Sequence, residues 1–472
     1  MTQPADLAFA DLSTLSRALS DGSVSARDLT ELYLDRITRH DPALRAMIFV
    51  DADAARAEAD AADALRRAGA VAGPLHGIPV AVKDLCDVAG QPGSGGSLAL
   101  KDRRPAETAT VVKRLRAAGM VILGRTHMVE FACGGWGTNE YLGMPRNPWD
   151  RQVHRVPGGS SSGSGVAVAG GLAPVALGSD TSGSIRIPAA LCGLTGLKPT
   201  HGRVSNAGTL PLAHSLDSLG PLTGTVRDTA LVHQAITGPD PLDPATLNLP
   251  PAGDLLAMLE AGVAGMRLGI LPQAERDVAA PGVLAAYDAA LAVLERLGAT
   301  LVEARLPERF VDIQTRSSPM IMAEAYRHHR ALVEDAALPI GRHTRQRILS
   351  GKSCLAADYL ALQQDRIDSS RRWLASIDGL DALLTPTLPL SAIPVAEVDE
   401  DSMILGRFCR MASYFGWCAL ALPAGLDAAG HGGLPVSVQV ICRPHEDALA
   451  LRIGHAFQSA TDWHRQTAPG WE

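Results

Sequence analysis

Among its 472 residues the chain has no CxxC pair, no HExxH or HxH element and no GxxxxGK[ST] loop. The seven cysteines are scattered. An odd count without paired spacing fits buried thiols in a reducing compartment rather than a disulfide framework. The fourteen histidines carry no metal-ligand spacing, so no metal is expected. No Lys/Arg block offsets the formal net charge of -7, and a surface of that sign repels nucleic-acid phosphates and anionic membranes. No apolar stretch approaches the roughly 20 residues needed to cross a bilayer. The opening MTQPADLAFADLS carries acids and lacks a long apolar core, so it does not read as a secretory signal. These absences together lead us to expect a cytoplasmic protein with neither a nucleic-acid nor a membrane partner.

What is present is an ordinary globular balance of 46% hydrophobic and 20% charged residues. Residues 10–70 read as helices. Ser25 and Asp28 make a capping pair, after which Leu29, Leu32, Tyr33 and Ile37 share one face. The alanine-rich run 53–69 is a second helix, ended near Gly69 and Gly73. Short apolar runs bounded by glycine or proline follow at 78–82, 120–123, 166–169 and 174–176, alternating with helical stretches such as 110–118. That alternation predicts an α/β fold, a large mixed sheet covered by helices on both faces. From about 226 to 395 the chain is helix-rich, with strands at 267–271 and 299–303, and reads as a cover over the sheet. Strand character returns at 382–389 and 435–441, and 445–460 closes the chain as an amphipathic helix.

Three stretches carry chemistry: GPLHGIPVAVKD (73–84), VPGGSSSGSG (156–165) and GSDTSGSIRIPAALCGLTGLKPT (178–200). Glycine and serine at this density usually mark a linker, but here they sit between apolar runs, as backbone packed inside a core does. Lys83 ends the run Gly77–Val82, so its stem enters the interior. A buried ammonium loses proton affinity and becomes a base. Position alone equally allows Lys83 to pair with Asp84 at a strand end. VAVKD imitates the strand lysine of protein kinases, yet no HRD, DFG or preceding glycine-rich loop accompanies it. Around Ser160, Ser161 and Ser162 the glycines permit unusual backbone geometry, a cis peptide included. At 181–184 the chain turns towards a helix, and consecutive backbone N–H groups at such a turn make an anion-binding hole beside Ser184. Each loop alone is weak. Both loops with a strand lysine supply a nucleophile, a relay and a base without histidine.

On these residues the chain resembles the amidase signature family from roughly 10 to 465. The most specific portion runs from GGSSSGSG through GSDTSGSIRIPA to GLKPTHGRVS, supported by GIPVAVKD, EFACGGWGTNEYLGMPRNPWD, HSLDSLGPLTGTVRD and GLPVSVQVICRPHEDALAL. The resemblance implies a single amidase signature domain over 1–472 and a Ser–cis-Ser–Lys triad that hydrolyses C–N bonds without metal or organic cofactor. Carried over position by position, Ser184 falls on the nucleophile, Ser160 on the cis-serine and Lys83 on the base. The N–H groups of Thr181, Ser182, Gly183 and Ser184 fall on the oxyanion hole. Ser161 falls on a support of the cis-serine loop, and Asp180 and Arg186 on an ion pair behind the nucleophile loop. Ser162 and Ser182 stand where the family often has glycine, which weakens inference about substrate.

Cys133, Gly134, Gly135 and Trp136 fall on a segment bordering the substrate pocket; Cys133 equally reads as a small packed hydrophobe. His76 and His127 read as satisfied core histidines. His328 and His329 are adjacent on a helix and face different ways. Core packing is the default for Met320, Met322, Phe415 and Trp417. The leading expectation is a hydrolase of small uncharged amides, with aryl amides, carbamates (urethanes) and some esters as further substrates, acting as monomer or homodimer. Two alternatives stand beside it: a glutamine-dependent amidotransferase of the A-subunit type, which works with partner subunits, and a binding protein with a degenerate site.

Overall fold

The computed structural model describes residues 7–427 and 433–471. The capping pair forms as expected: the Asp28 N–H donates to Ser25 Oγ at 3.0 Å and the Ser25 N–H to Asp28 Oδ2 at 2.9 Å. It starts the helix Ala26–Leu44, which buries Leu29, Tyr33 and Ile37. The alanine-rich helix spans Ala52–Arg67 and ends just before Gly69, where φ is +76°.

Eleven strands follow in chain order: β1 (Met47–Val50), β2 (Pro79–Lys83), β3 (Val121–Thr126), β4 (Val175–Asp180), β5 (Thr195–Lys198), β6 (Ser218–Thr223), β7 (Arg267–Ile270), β8 (Thr300–Glu303), β9 (Ala382–Pro386), β10 (Cys418–Asp427) and β11 (Leu434–Cys442). They form one sheet in the order β1-β3-β2-β4-β6-β5-β10-β11-β9-β7-β8. β2 runs parallel to β3 and β4, and β7 parallel to β8 and β9; the remaining pairs are antiparallel. The sheet is therefore mixed, as the alternating pattern predicts.

Successive side chains of a strand point to opposite faces. Accordingly Val80, Val82, Val175 and Leu177 belong to one apolar core and Ala81 and Ala176 to another. Both faces of the central strands are buried, which is why β2, β3 and β4 read as continuous apolar runs rather than alternating ones.

Three expectations change. Val166–Ala169 is not a strand but the end of the helix Ser162–Ala169, in which every residue is buried. Residues 47–50, which read as part of a helical stretch, form the edge strand β1. Finally, the region 226–395 does more than cover the sheet. Its strands β7 and β8, with β9, extend the sheet at one edge, while its helix Phe310–Val333 supplies part of a cavity wall described below. Among the described residues no helix is long and apolar enough to cross a membrane, and no cluster of side chains is arranged to hold a metal ion.

Candidate active site

Lys83 ends β2 with its side chain fully buried. Its Nζ donates to Ser160 Oγ at 2.7 Å, Ser161 Oγ at 2.9 Å and Ser179 Oγ at 2.8 Å. Asp84 goes elsewhere: it accepts from the Ser94 hydroxyl at 2.6 Å and lies 3.9 Å from Arg125 Nη1. The alternative of a Lys83–Asp84 pair is thereby excluded. With only hydroxyls at contact, burial lowers the Lys83 amine to about 7, against a weaker upward pull from the Cys86, Asp180 and Asp217 side chains. Ser179, the third partner, lies within the stretch 178–200, where the sequence assigns it no role.

The serine loop leads into the buried helix Ser162–Ala169, and the Gly159–Ser160 peptide is cis. Close approach fixes the glycine at 163. A Cβ there would lie 2.2 Å from the Ala46 carbonyl oxygen and 2.4 Å from the His127 nitrogen. Ser161 joins the two loops. Its Oγ accepts from the Ser179 N–H at 3.2 Å, and its own N–H donates to the Ser184 carbonyl at 3.3 Å. These bonds tie the serine loop to the loop 181–184. Ser162 Oγ is buried without a partner among the described residues.

The loop 181–184 leaves β4 and enters the helix Arg186–Cys192. Asp180 and Arg186 lie behind it as a fully buried two-bond pair, Nε to Oδ2 at 3.0 Å and Nη2 to Oδ1 at 3.0 Å. Burial alone would raise the Asp180 carboxyl; the Arg186 charge overrides it and holds the group at about 2. Ser413 Oγ donates to Asp180 Oδ1 at 2.9 Å, and Arg186 Nη1 donates to Gln439 Oε1 at 3.1 Å.

One expected donor is differently employed. The Gly183 N–H is bonded to Asp180 Oδ1 at 2.7 Å, so the oxyanion-hole expectation is corrected at that amide: the carboxylate that orders the turn accepts its hydrogen bond. The Thr181 hydroxyl donates to Asp217 Oδ1 at 2.5 Å, and Asp217 Oδ2 accepts from the Leu212 and Ala213 N–H groups at 2.9 and 3.0 Å. Burial raises the Asp217 carboxyl to about 6. In the sequence Asp217 stands only as part of HSLDSLGPL, without a role.

Ser184 opens onto a cavity of about 300 Å³ that Ser182 also lines, together with all four of the residues expected there, Cys133, Gly134, Gly135 and Trp136. Met322 and Trp136 face the cavity, whereas Met320, Phe415 and Trp417 pack into cores. Residues unforeseen in the sequence complete the lining, among them Ser318, Ile321, Arg347, Leu405 and Arg410. Burial pushes the Cys133 thiol up to about 11, so it acts here as a small uncharged wall. The histidines stay outside the site: His76 Nε2 meets the Ala62 carbonyl at 2.9 Å, His127 Nε2 the Leu142 carbonyl at 3.3 Å and His329 Nε2 the Pro211 carbonyl at 2.8 Å.

Comparison with known proteins bears on the family of the chain. The family profile described as Amidase matches residues 28–451. The A subunit of the glutamyl-tRNA(Gln) amidotransferase of Chloroflexus aggregans (strain MD-66 / DSM 9485) is 39% identical, covering 97% of this chain and 98% of that protein. A chain from an inhibitor-bound vestigial complex, described as revealing the evolutionary origins of an s-triazine catabolic enzyme, superposes with a TM-score of 0.89 at 35% identity. The match covers 95% of this chain and 98% of that one. The native peptide amidase of Stenotrophomonas maltophilia superposes with a TM-score of 0.85 at 32% identity, over 96% and 97%. A match that runs nearly end to end in both sequence and fold places this chain in the amidase signature family, enzymes that act on carbon–nitrogen bonds.

Proposed function

We propose that the protein hydrolyses an amide C–N bond through an acyl-enzyme on Ser184, with Ser160 relaying a proton to Lys83. The observation that carries this reading is the buried Lys83 amine 2.7 Å from Ser160 Oγ, with no carboxylate bonded to it among the described residues. Lowered to about 7, the amine is neutral in about half the molecules at neutral pH; an ordinary lysine would be neutral in roughly one in a thousand or fewer.

The proton accounting follows from that neutral amine. Ser184 Oγ attacks the carbonyl carbon as its proton passes to Ser160, whose own proton passes to Lys83 Nζ. The N–H groups of Thr181, Ser182 and Ser184 stabilise the charge that develops on the carbonyl oxygen. Collapse breaks the C–N bond, and the proton returns through Ser160 to the departing nitrogen. Water repeats the sequence, releases the acyl group and restores Ser184. Asp180 and Arg186 keep the turn rigid and take no proton. The buried Lys83 amine held by Ser160 argues against a degenerate binding protein.

A second reading concerns the substrate. The curated relatives are named as the A subunit of glutamyl-tRNA(Gln) amidotransferase, which favours glutamine as the amide, and partner subunits, over a free-standing hydrolase of small uncharged amides, aryl amides or carbamates. The peptide amidase likeness supports the free-standing form. The protein purified alone is to be assayed for glutaminase and for anilide, short-amide and carbamate hydrolysis. Turnover of anilides without glutaminase favours the free-standing enzyme, and the reverse favours the amidotransferase. Failure of a fluorophosphonate to label Ser184, together with no turnover of any of these, contradicts the shared chemistry.

A further inference from the structure

The cavity beside Ser184 holds a cation that the protein does not balance. Two arginines line it, Arg347 and Arg410. Arg347 is tied down: Nη1 donates to the Cys133 carbonyl at 3.1 Å, and Nη2 to Glu400 Oε2 at 3.1 Å. Arg410 is not. Among the described residues it has no carboxylate partner. Its Nη1 donates to Ser318 Oγ at 3.1 Å and to Ser317 Oγ at 3.4 Å, and its Nε is buried without a partner among the described residues. Both serines hand their own protons to the Gln314 carbonyl, at 3.0 and 3.2 Å. Their oxygens are therefore left free to accept from the guanidinium and to fix its plane.

The ionisable groups that act on Arg410 are the thiols of Cys133 and Cys409, and they do not neutralise it. Burial pushes Cys133 up to about 11 and Cys409 up to about 12, so both are uncharged at neutral pH. Burial also lowers Arg410, to about 10, which still leaves it protonated. The one acid lining the cavity among the described residues, Asp401, has an almost fully exposed side chain that faces His343 at 3.9 Å. Folded proteins rarely keep an unpaired charge in such a place. A planar, weakly hydrated guanidinium suits a carboxylate in particular.

We propose that the amide cleaved by this protein carries a carboxylate, and that Arg410 binds it in the cavity beside Ser184. For its place in turnover the proposal rests on the reading of Ser184 given above; for binding it rests on the cavity alone. It replaces the expectation of an uncharged substrate with an anionic one and is compatible with glutamine, whose α-carboxylate is such a group.

The test pairs malonamate, succinamate and glutaramate with the neutral methyl ketones of equal length, 3-oxobutanamide, 4-oxopentanamide and 5-oxohexanamide. At least one anionic amide should exceed its neutral partner at least tenfold in kcat/KM. Arg410→Met should lower kcat/KM for that amide by about 100-fold, mainly through KM, and Arg410→Lys should recover part of the loss. Binding is measured separately, by calorimetry on Ser184→Ala, where turnover plays no role. The anionic amide should bind at least tenfold more tightly than its neutral partner, and Arg410→Met in that background should abolish the difference. Equal or tighter binding of the neutral partner at every length overturns the proposal, as does an Arg410→Met variant that weakens both members of a pair alike. Should Ser184 resist a fluorophosphonate and no amide turn over, the reading of Ser184 fails, while calorimetry still decides the role of Arg410.

Discussion

Two lysines are buried to the same degree in this protein, at the ends of neighbouring regions of one sheet, and their surroundings differ in kind. Lys83, closing β2, is held by three hydroxyls. Lys198, closing β5, is held by two backbone carbonyls, Pro199 at 2.7 Å and Trp417 at 2.8 Å. Burial lowers both amines, Lys83 to about 7 and Lys198 to about 8, so depth alone does not separate them. The partners do. A carbonyl can only accept, so a neutral Lys198 would present its lone pair to groups with no proton to give. A hydroxyl both accepts and donates. Lys83 can therefore lose its proton and take back another without leaving its place, as a general base must. Burial makes a lysine titratable; hydroxyl neighbours make it useful.

The largest effect that separates the two sites is on rate. Ser184→Ala and Lys83→Met should each lower kcat by about 10⁴-fold or more, because members of one proton relay fail together. Lys198→Met, where it folds, should stay within about tenfold of wild type, since it touches no reacting atom. Steady-state assays on all three decide this. If Lys198→Met were as inactive as Lys83→Met, the contrast between hydroxyl and carbonyl partners would lose its meaning.

Stability should separate them in the opposite sense. Folded Lys83 releases its proton at about 7, and the unfolded chain near 10.5. Between those values the unfolded state binds more protons, so wild-type stability rises with pH across that window, and below pH 7 the full cost of the buried charge is present. Lys83→Met should therefore melt higher than wild type at pH 6, with the gap closing towards pH 10. A gap that widened with pH would reverse the sign assigned to Lys83. At pH 9, where the Lys198 amine is already largely neutral, Lys198→Met orphans two buried carbonyls and should cost about 2 kcal/mol in denaturant unfolding.

Asp180→Asn strips the buried Arg186 guanidinium of its only ion-pair partner among the described residues and should cost about 3–5 kcal/mol. The smallest effect should come from Asp217→Asn. It weakens a charge-assisted bond from the Thr181 hydroxyl and costs about 1 kcal/mol, read as a several-fold fall in kcat with little change in melting.

Legibility in the sequence follows the same division. Lys83 and the serine loops can be read because glycine between apolar runs signals packed backbone, and the chemistry-bearing residues sit on those runs. The end of the helix Ser162–Ala169 reads as a strand because a segment buried on every side has no period to distinguish the two. β6 and β10 carry Pro221 and Pro423, which suppress a strand reading; at β10 the pairing register shifts between Pro423 and Gly425. Arg410 leaves no local mark, since its meaning depends on Ser318, 92 positions earlier in the chain. Asp217 reaches Thr181 across 36 positions. Such contacts are set by topology, and no spacing rule announces them.

The central claim, that a buried neutral amine activates Ser184 through Ser160, is tested most directly by the rate at which a fluorophosphonate labels Ser184 as pH is varied. That reaction needs no knowledge of the substrate. The account predicts a rate that climbs with pH through about 7 and then levels off, and a slow, pH-independent rate in Lys83→Met. A profile in wild type that is flat across neutral pH, or labelling of Lys83→Met at the wild-type rate, would contradict it.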